Sequence, residues 1–284
     1  GLDGATFEVL DPLIDDGVLP TIGELRDEGA SGTLQSTMPP VTGPAWLSLT
    51  TGQSPGQTGI YDFIYRDPAV DGFDFNYLDG TIFQGQSLWD YLGEAGHDVG
   101  VVDFPLLSPP YEVNGFMVCG GMGSVEHACY PASLDEELAD FEKPEEHLDL
   151  RDEKYEDLTV FMDDIMDNLA KRRRIIEHVL EHHEWDVCWP VVQEPDWVQH
   201  LMWKCFDDDH PEADSATAHE RELFREFWAE IDDFVETCLS LVDDDTNVVI
   251  QSDHGFGPMY NKSFRLNTWL VDEGYLTPKK FTGS

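Results

Sequence analysis

Four short apolar runs alternate along the chain with longer stretches in which apolar positions recur every three or four residues. Each run is almost continuously hydrophobic, which is typical of strands that are buried on both faces in a parallel sheet. The runs occupy positions 98–103, 115–119, 185–193 and 247–252. They predict buried strands of one mainly parallel sheet.

The stretches between the runs have the periodicity of helices. They are 21–28, 44–50, 87–95, 158–183 and 220–241, the last two with acidic outer faces. Alternating strands and helices are typical of a doubly wound α/β fold, in which helices flank a mainly parallel sheet. We therefore expect one α/β domain over residues 1–284. Insertions are expected at about 61–85 and 120–157, where the sequence is irregular and rich in Asp, Glu, Gly and Pro.

The charge of the chain argues against two classes of partner. Its 284 residues include 58 acidic and 16 basic ones, which gives a formal net charge of -42. Such a surface repels the backbone of a nucleic-acid duplex and an anionic membrane, so neither is an expected partner. Molar salt shortens the screening length to about 3 Å, and the composition predicts a halophilic protein. The hydrophobic share of 41% still supplies a core.

Cysteine usage and hydropathy favour a cytoplasmic protein. The five cysteines are odd in number and form no C-x-x-C pair, which argues against a disulfide framework or a structural zinc knot. No stretch approaches 18 consecutive apolar residues, so no transmembrane helix is expected. The chain starts at Gly1 without a methionine, which leaves open the removal of a signal peptide or of an initial strand.

The basic cluster Lys171–Arg174 has two interpretations. It could bind an anion, or it could be a solvated helix face whose charges pair at i,i+4 spacing. The second is favoured because acidic residues lie within one or two turns, namely Asp163, Asp164, Asp167 and Glu177.

Two segments in the first fifty residues offer candidate chemistry. Asp3 precedes Gly4, and an aspartate before a turn glycine is either an ordinary turn residue or a group at the carboxyl end of a strand, where α/β folds place their sites. Thr42 lies two residues before Pro44, which suits the first turn of a helix. A hydroxyl at that position is either a helix cap or a nucleophile beside an anion site.

Two later segments combine carboxylates with imidazoles. Asp196 and His200 are four residues apart, so on a helix they share one face and are either a metal-binding pair or a surface ion pair. Asp253 and His254 follow the apolar run that ends at Ser252, and packing alone does not explain them, because buried charges need a partner or a metal. Mixed carboxylate and imidazole ligands suit zinc, manganese or iron.

In this order, the segments resemble the alkaline phosphatase superfamily, in particular its type I phosphodiesterase/nucleotide pyrophosphatase branch. The resemblance extends from Gly1 to about Leu276. T-G-P-A-W-L-S-L-T-T-G at 42–52, Pro55 and G-I-Y-D at 59–62 are similar to that family's nucleophile helix, T-G turn and G-I-x-D element. D-x-x-x-H at 196–200 and S-D-H-G at 252–255 fall in the places that the family pattern leads us to expect.

The resemblance implies a metal-dependent hydrolase of small phosphoric esters, with two divalent ions that are zinc or, alternatively, manganese. Thr42 would be the nucleophile, because a bound metal makes its weakly nucleophilic hydroxyl reactive. The Gly43 N–H would donate to a non-bridging phosphate oxygen. The implied ligands are Asp3, Thr42, Asp253 and His254 for one metal, and Asp196, His200 and a further histidine for the other.

The chain departs from the family pattern at two points. Phe63 replaces the asparagine that follows the G-I-x-D aspartate in nucleotide pyrophosphatases, so nucleotide specificity is not carried over. No histidine follows His254, although the family places the remaining metal ligand there. We expect that ligand beyond Ser284. The alternative function is a non-catalytic scaffold or metal-binding protein of the same fold; the sequence leaves the oligomeric state open.

Overall fold

The computed structural model describes residues 1–65, 76–119, 128–145, 148–258 and 264–278. The two expected insertions lie partly outside these ranges, at 66–75, 120–127 and 146–147. Within the described ranges the strands are β1 Ile64–Tyr65, β2 Asn76–Tyr77, β3 Val99–Phe104, β4 Gly115–Cys119, β5 Cys129–Tyr130 and β6 Val187–Pro190.

A four-stranded sheet of order β5-β4-β3-β6 forms the centre of the protein. β3 pairs in parallel with β4 on one side and with β6 on the other, and β5 runs antiparallel to β4 at the edge. All six residues of β3 are buried, because both of its faces are covered. The predicted α/β fold with a mostly parallel sheet is confirmed.

The predicted helices are present, several of them longer or shorter by a few residues. Apart from short 3-10 turns, the helices are α1 Phe7–Asp15, α2 Pro20–Glu28, α3 Thr42–Thr51, α4 Pro55–Thr58, α5 Leu88–Glu94, α6 Ala132–Glu137, α7 Leu158–His182, α8 Glu194–Phe206, α9 Ala218–Ser240 and α10 Leu266–Asp272. Side-chain caps fix both long helices: Asp157 accepts from the Thr159 N–H before α7, and Thr217 and Glu220 form a capping box at α9. None of the described helices has the length and apolarity needed to cross a bilayer.

Two hydrophobic cores lie on opposite faces of the sheet, as a doubly wound fold requires. Val102 belongs to the core that includes residues of α1, α7, α8 and α9, whereas Val101 belongs to the core with Trp46 of α3 and Trp89 of α5. Side chains alternate between the two faces of a strand, so Phe104 should lie in the same core as Val102. It lies in the core of Val101 instead, because the pairing register shifts at Asp103, whose φ is +52°.

The predicted strand at 247–252 is wrong for the described structure. The Leu2 N–H donates to the Gln251 carbonyl at 2.9 Å, so the segment runs beside the N-terminus, but it is not a regular strand. Val249 is 75% exposed, and its neighbours Val248 and Ile250 are also exposed. An apolar run shows that a segment could be buried, but not that a neighbour covers it. The predicted strand at 185–193 is present over the shorter range Val187–Pro190.

The solvated-face interpretation of the basic cluster is wrong for one of its members. Lys171 pairs with Asp167 and Arg173 with Glu177 at i,i+4 spacing, as expected. Arg172 is fully buried, and its guanidinium forms ion pairs at 2.8 Å with Asp103 and 3.0 Å with Glu194. Arg172 therefore links α7 to the end of β3 and to the start of α8.

Candidate active site

Asp3 lies at the carboxyl edge of the sheet. The bridge between Leu2 and Val192 extends the sheet beyond β6, and the Asp3 N–H donates to the Val192 carbonyl at 2.9 Å. The Asp3 side chain is buried, and one of its oxygens accepts from the Trp46 indole N–H at 3.2 Å. The N-terminal segment thus places a carboxyl where α/β folds usually place their sites.

Asp253 and His254 lie beside Asp3. The Gly4 N–H donates to Asp253 Oδ1 at 3.3 Å, and His254 Nε2 lies 3.6 Å from Asp3 Oδ1 and 3.5 Å from Asp253 Oδ2. All three side chains are buried. The segment after 247–251 therefore brings its Asp-His pair to the place that the sequence predicts, although the segment itself is not a regular strand.

Gly4 lets Asp196 of α8 lie close to the N-terminal segment. Its φ is +65°, and a Cβ built on it would lie 2.9 Å from Asp196 Oδ1. A side chain at this position would therefore be strained and would also push Asp196 away. Asp196 Oδ1 lies 3.9 Å from His254 Nε2, and His200 Nε2 lies 3.3 Å from Asp196 Oδ2. Both residues are on α8, one turn apart, as predicted.

Thr42 contacts the cluster from the first turn of α3. Its Oγ1 lies 3.2 Å from His254 Nε2. The helix cap is the extended residue Val41, which makes no side-chain capping bond, so the capping role considered for Thr42 is not the one it has here. The first helical bond runs from the Ala45 N–H to the Val41 carbonyl, which leaves the Gly43 N–H without an acceptor inside the helix.

The cluster concentrates negative charge in a buried place. Burial raises the pKa of Asp3 well above its usual range, and the charges of Asp253 and Asp196 raise it further. Burial also raises the pKa of Asp253 to about 7. When both carboxyls are ionised, Asp3 Oδ1 and Asp253 Oδ2 have no hydrogen-bond donor in the described chain. Buried anionic oxygens of this kind are stable only with a cation or a proton.

The orientation of His254 suits a metal ligand. Its Nδ1 lies 2.8 Å from the Gly255 carbonyl oxygen, which can only accept, so Nδ1 carries the proton in the neutral imidazole. Nε2 then presents a lone pair to the carboxylates and to Thr42. One ligand atom each of Asp3, Asp196 and His254 lies within 4.8 Å of the others. These residues fit a divalent metal with oxygen and nitrogen ligands.

A family model of type I phosphodiesterases and nucleotide pyrophosphatases matches residues 1–281. The chain belongs to this family. Among curated proteins, no sequence matches it.

Two solved structures resemble this phosphodiesterase-family chain. Phosphonoacetate hydrolase from Sinorhizobium meliloti 1021 in complex with phosphonoformate has 22% sequence identity and a TM-score of 0.49, over 82% of this chain and 52% of that chain. The complex of that hydrolase with phosphonoacetate has 20% identity and a TM-score of 0.46 over the same shares. The phosphodiesterase-family chain thus spans about half the length of these structures.

Three residues that support the site of this family member have no signature in the sequence. Trp46 donates to Asp3, and the Ser36 hydroxyl donates to the Asp253 carbonyl at 2.7 Å. Gln199 is buried, and its amide donates to the Gly4 carbonyl at 2.9 Å. Each bond joins segments far apart in the chain, and no spacing rule could have found it.

The two departures from the family pattern have different outcomes. Phe63 packs against the core that contains Trp46, so its ring offers no polar donor in place of an amide. Among the described residues, no histidine other than His254 lies with Asp196 and His200, and His254 Nε2 is 3.9 Å from Asp196 Oδ1. A further ligand beyond Ser284 stays a prediction.

Proposed function

We propose that the protein is a metal-dependent hydrolase of phosphoric esters, of the phosphodiesterase or phosphatase type, with Thr42 as its nucleophile. The observation that carries the proposal is the 3.2 Å approach of Thr42 Oγ1 to His254 Nε2. A hydroxyl at a helix N-terminus is thereby placed beside a buried carboxylate cluster, outside the capping role that such a hydroxyl usually has.

The residues divide the proposed reaction between them. The Thr42 hydroxyl loses its proton to water and its oxygen bonds to phosphorus. The bond from phosphorus to the ester oxygen of the leaving group breaks on the opposite side, and that oxygen takes up a proton from water. The N–H of Gly43, which has no acceptor inside the helix, donates to a non-bridging oxygen, where negative charge grows. Water then releases the phosphate from Thr42 in a second displacement. Asp3, Asp253 and His254 would hold one divalent ion next to Thr42, and Asp196 and His200 would contribute to a second.

When bound, such ions lower the pKa of a ligating hydroxyl or water and offset charge on the reacting oxygens. Zinc agrees best with the imidazole and carboxylate ligands, and manganese is the alternative. The substrate we propose is a small phosphoester. We do not propose a nucleotide, because Phe63 offers no amide donor. A cytoplasmic location, a single domain and adaptation to high salt stay predictions.

Substitution of Thr42 tests the proposal. With zinc or manganese supplied and an aryl phosphodiester and monoester as substrates, Thr42→Ala should lower kcat by roughly 10³-fold or more, as loss of a nucleophile does in other hydrolases. Thr42→Ser should retain part of the activity. Thr51→Ala is a matched control, because Thr51 lies on the same helix and its hydroxyl bonds locally, donating to the Leu47 carbonyl and accepting from the Gln53 N–H.

Normal turnover by Thr42→Ala would overturn the nucleophile assignment. Metal analysis of the wild-type protein separates the hydrolase from the alternative of a non-catalytic scaffold. One bound ion or none at the site, with no hydrolysis of either ester, would favour the scaffold.

A further inference from the structure

A second group of metal-ligating side chains lies outside the candidate active site. Glu137 is the last residue of α6, and His178 and His183 lie at the end of α7. Glu137 Oε1 is 2.6 Å from His178 Nε2 and 3.0 Å from His183 Nε2. One ligand atom from each of the three side chains lies within 4.8 Å of the others. We call this group the α6–α7 cluster.

We propose that the α6–α7 cluster binds one divalent transition-metal ion, best zinc, through Glu137, His178 and His183. Two imidazoles and one carboxylate form a ligand set that zinc accepts, with water in the fourth position. The same set does not suit magnesium or calcium, which prefer oxygen ligands only.

The imidazoles are held in place before any ion binds. The ring of His183 packs on Phe116 at a centroid distance of 5.0 Å, and the ring of His178 packs on Phe141 at 4.9 Å. Both Nε2 atoms therefore converge on one carboxylate oxygen.

An ion can reach the cluster from solvent. The side chains of His178, His183 and Glu137 are 21%, 25% and 37% exposed. The strongly negative charge of the chain raises the local concentration of cations around it. His182 stacks on His178 at 4.4 Å, but its Nδ1 faces the His178 backbone carbonyl at 3.0 Å, so it is a neighbour of the cluster and not a member.

The position of the cluster points to a structural role. α7 ends there, and β6 starts soon afterwards at Val187, so the cluster lies at the amino edge of the parallel strands. The candidate active site lies at the carboxyl edge. An ion in the α6–α7 cluster would link α6, which belongs to the second predicted insertion, to α7. We expect it to stabilise the fold without taking part in hydrolysis.

Counting bound zinc tests this proposal independently of the proposed function. After equilibrium dialysis against micromolar zinc and metal analysis, a double variant with His178→Ala and His183→Ala should hold one zinc ion fewer per chain than the wild type. The zinc-dependent rise in Tm should shrink in the same variant, while hydrolysis of an aryl phosphoester stays unchanged. His182→Ala is the matched control and should keep the full zinc count.

Glu137→Gln provides a second test that leaves both rings in place. It should weaken zinc binding at the cluster by at least tenfold with an unchanged circular dichroism spectrum. A zinc count in the double variant equal to that of the wild type would overturn the proposal. So would zinc affinity at this cluster that Glu137→Gln does not alter.

Discussion

Two buried groups of carboxylates lie near the carboxyl ends of the strands, and they differ in how their charge is balanced. In one group, Arg172 forms ion pairs with both Asp103 and Glu194, and the Asn168 amide also donates to Glu194 at 2.9 Å. The carboxylates of Asp103, near the end of β3, and Glu194, at the start of α8, thus have a cationic partner from within the chain. We call this group the arginine cluster.

The other group is the candidate active site, where no arginine or lysine contacts Asp3 or Asp253 in the described structure. Trp46 and Gly4 supply neutral N–H donors, and one oxygen of each carboxylate has no donor when both are ionised. Burial raises the pKa of Asp103 to about 6, and the charge of Arg172 opposes this rise. Burial raises the pKa of Asp253 to about 7.

The difference indicates what each group is for. In the arginine cluster, Arg172 forms ion pairs with both carboxylates and links α7 to β3 and α8. The described chain supplies no arginine or lysine to the site, so its ionised carboxylates are stable only with a cation or a proton from outside. Glu194 and Asp196 are both on α8, two residues apart. The arginine cluster therefore also fixes the helix that brings Asp196 to the candidate active site.

The largest expected effect on stability comes from breaking the arginine cluster. Arg172→Met should lower the free energy of unfolding by about 3–5 kcal/mol, because it leaves two buried carboxylates without a cation. Chemical denaturation measures this. Lys171→Met is the matched control on the same helix, and the loss of its exposed ion pair with Asp167 should cost at most about 1 kcal/mol. Equal effects of the two substitutions would show that Arg172 does not stabilise the two buried carboxylates.

At the candidate active site, removing a carboxylate should raise the free energy of unfolding, by less than the loss expected for Arg172→Met. In metal-free protein at pH 8, Asp253→Asn should raise the free energy of unfolding by roughly 1–3 kcal/mol, because it removes a buried acceptor that lacks a donor. The same substitution should weaken zinc binding at the site. Asp103→Asn, the matched change in the arginine cluster, should instead destabilise the protein. If Asp253→Asn destabilises the metal-free protein as Asp103→Asn does, the two groups do not differ as proposed.

The gain from Asp253→Asn should depend on pH. The pKa of Asp253 rises from 3.8 to about 7 on folding, so the folded state holds the proton more tightly than the unfolded state. Stability contributed by that proton is complete below about pH 4 and is lost as the pH rises through 7. The difference in unfolding free energy between variant and wild type should therefore grow from pH 5 to pH 8. Zinc affinity of the wild type should rise over the same window, because binding displaces the proton. A difference that stays flat would contradict this account.

The smallest expected difference between the two groups is in how Tm responds to salt. Tm should rise between dilute buffer and molar KCl, since screening weakens repulsion among exposed carboxylates. The rise should be similar in the wild type and in Arg172→Met, because buried ion pairs are screened little. A Tm that does not rise with salt would contradict the prediction of a salt-adapted surface.

The sequence predicted the elements, and which residues lie together at the candidate site, better than it predicted the surroundings of those residues. The helices and the strands at 98–103 and 115–119 follow from periodicity, and Thr42, Asp196 and Asp253 follow from motifs at strand and helix ends. Arg172 was misjudged because its neighbours on α7 have local acidic partners, whereas its own partners lie far away in sequence. The exposure of 248–250 and the α6–α7 cluster likewise depend on which distant segments meet.

A crystal structure of zinc-loaded protein, with anomalous scattering data collected at the zinc edge, would locate the bound ion directly. We expect an anomalous peak bonded to Asp3, Asp253 and His254, within bonding distance of Thr42 Oγ1, and none inside the arginine cluster. Zinc bound elsewhere on the molecule, with no peak between Asp3 and Asp253, would contradict it.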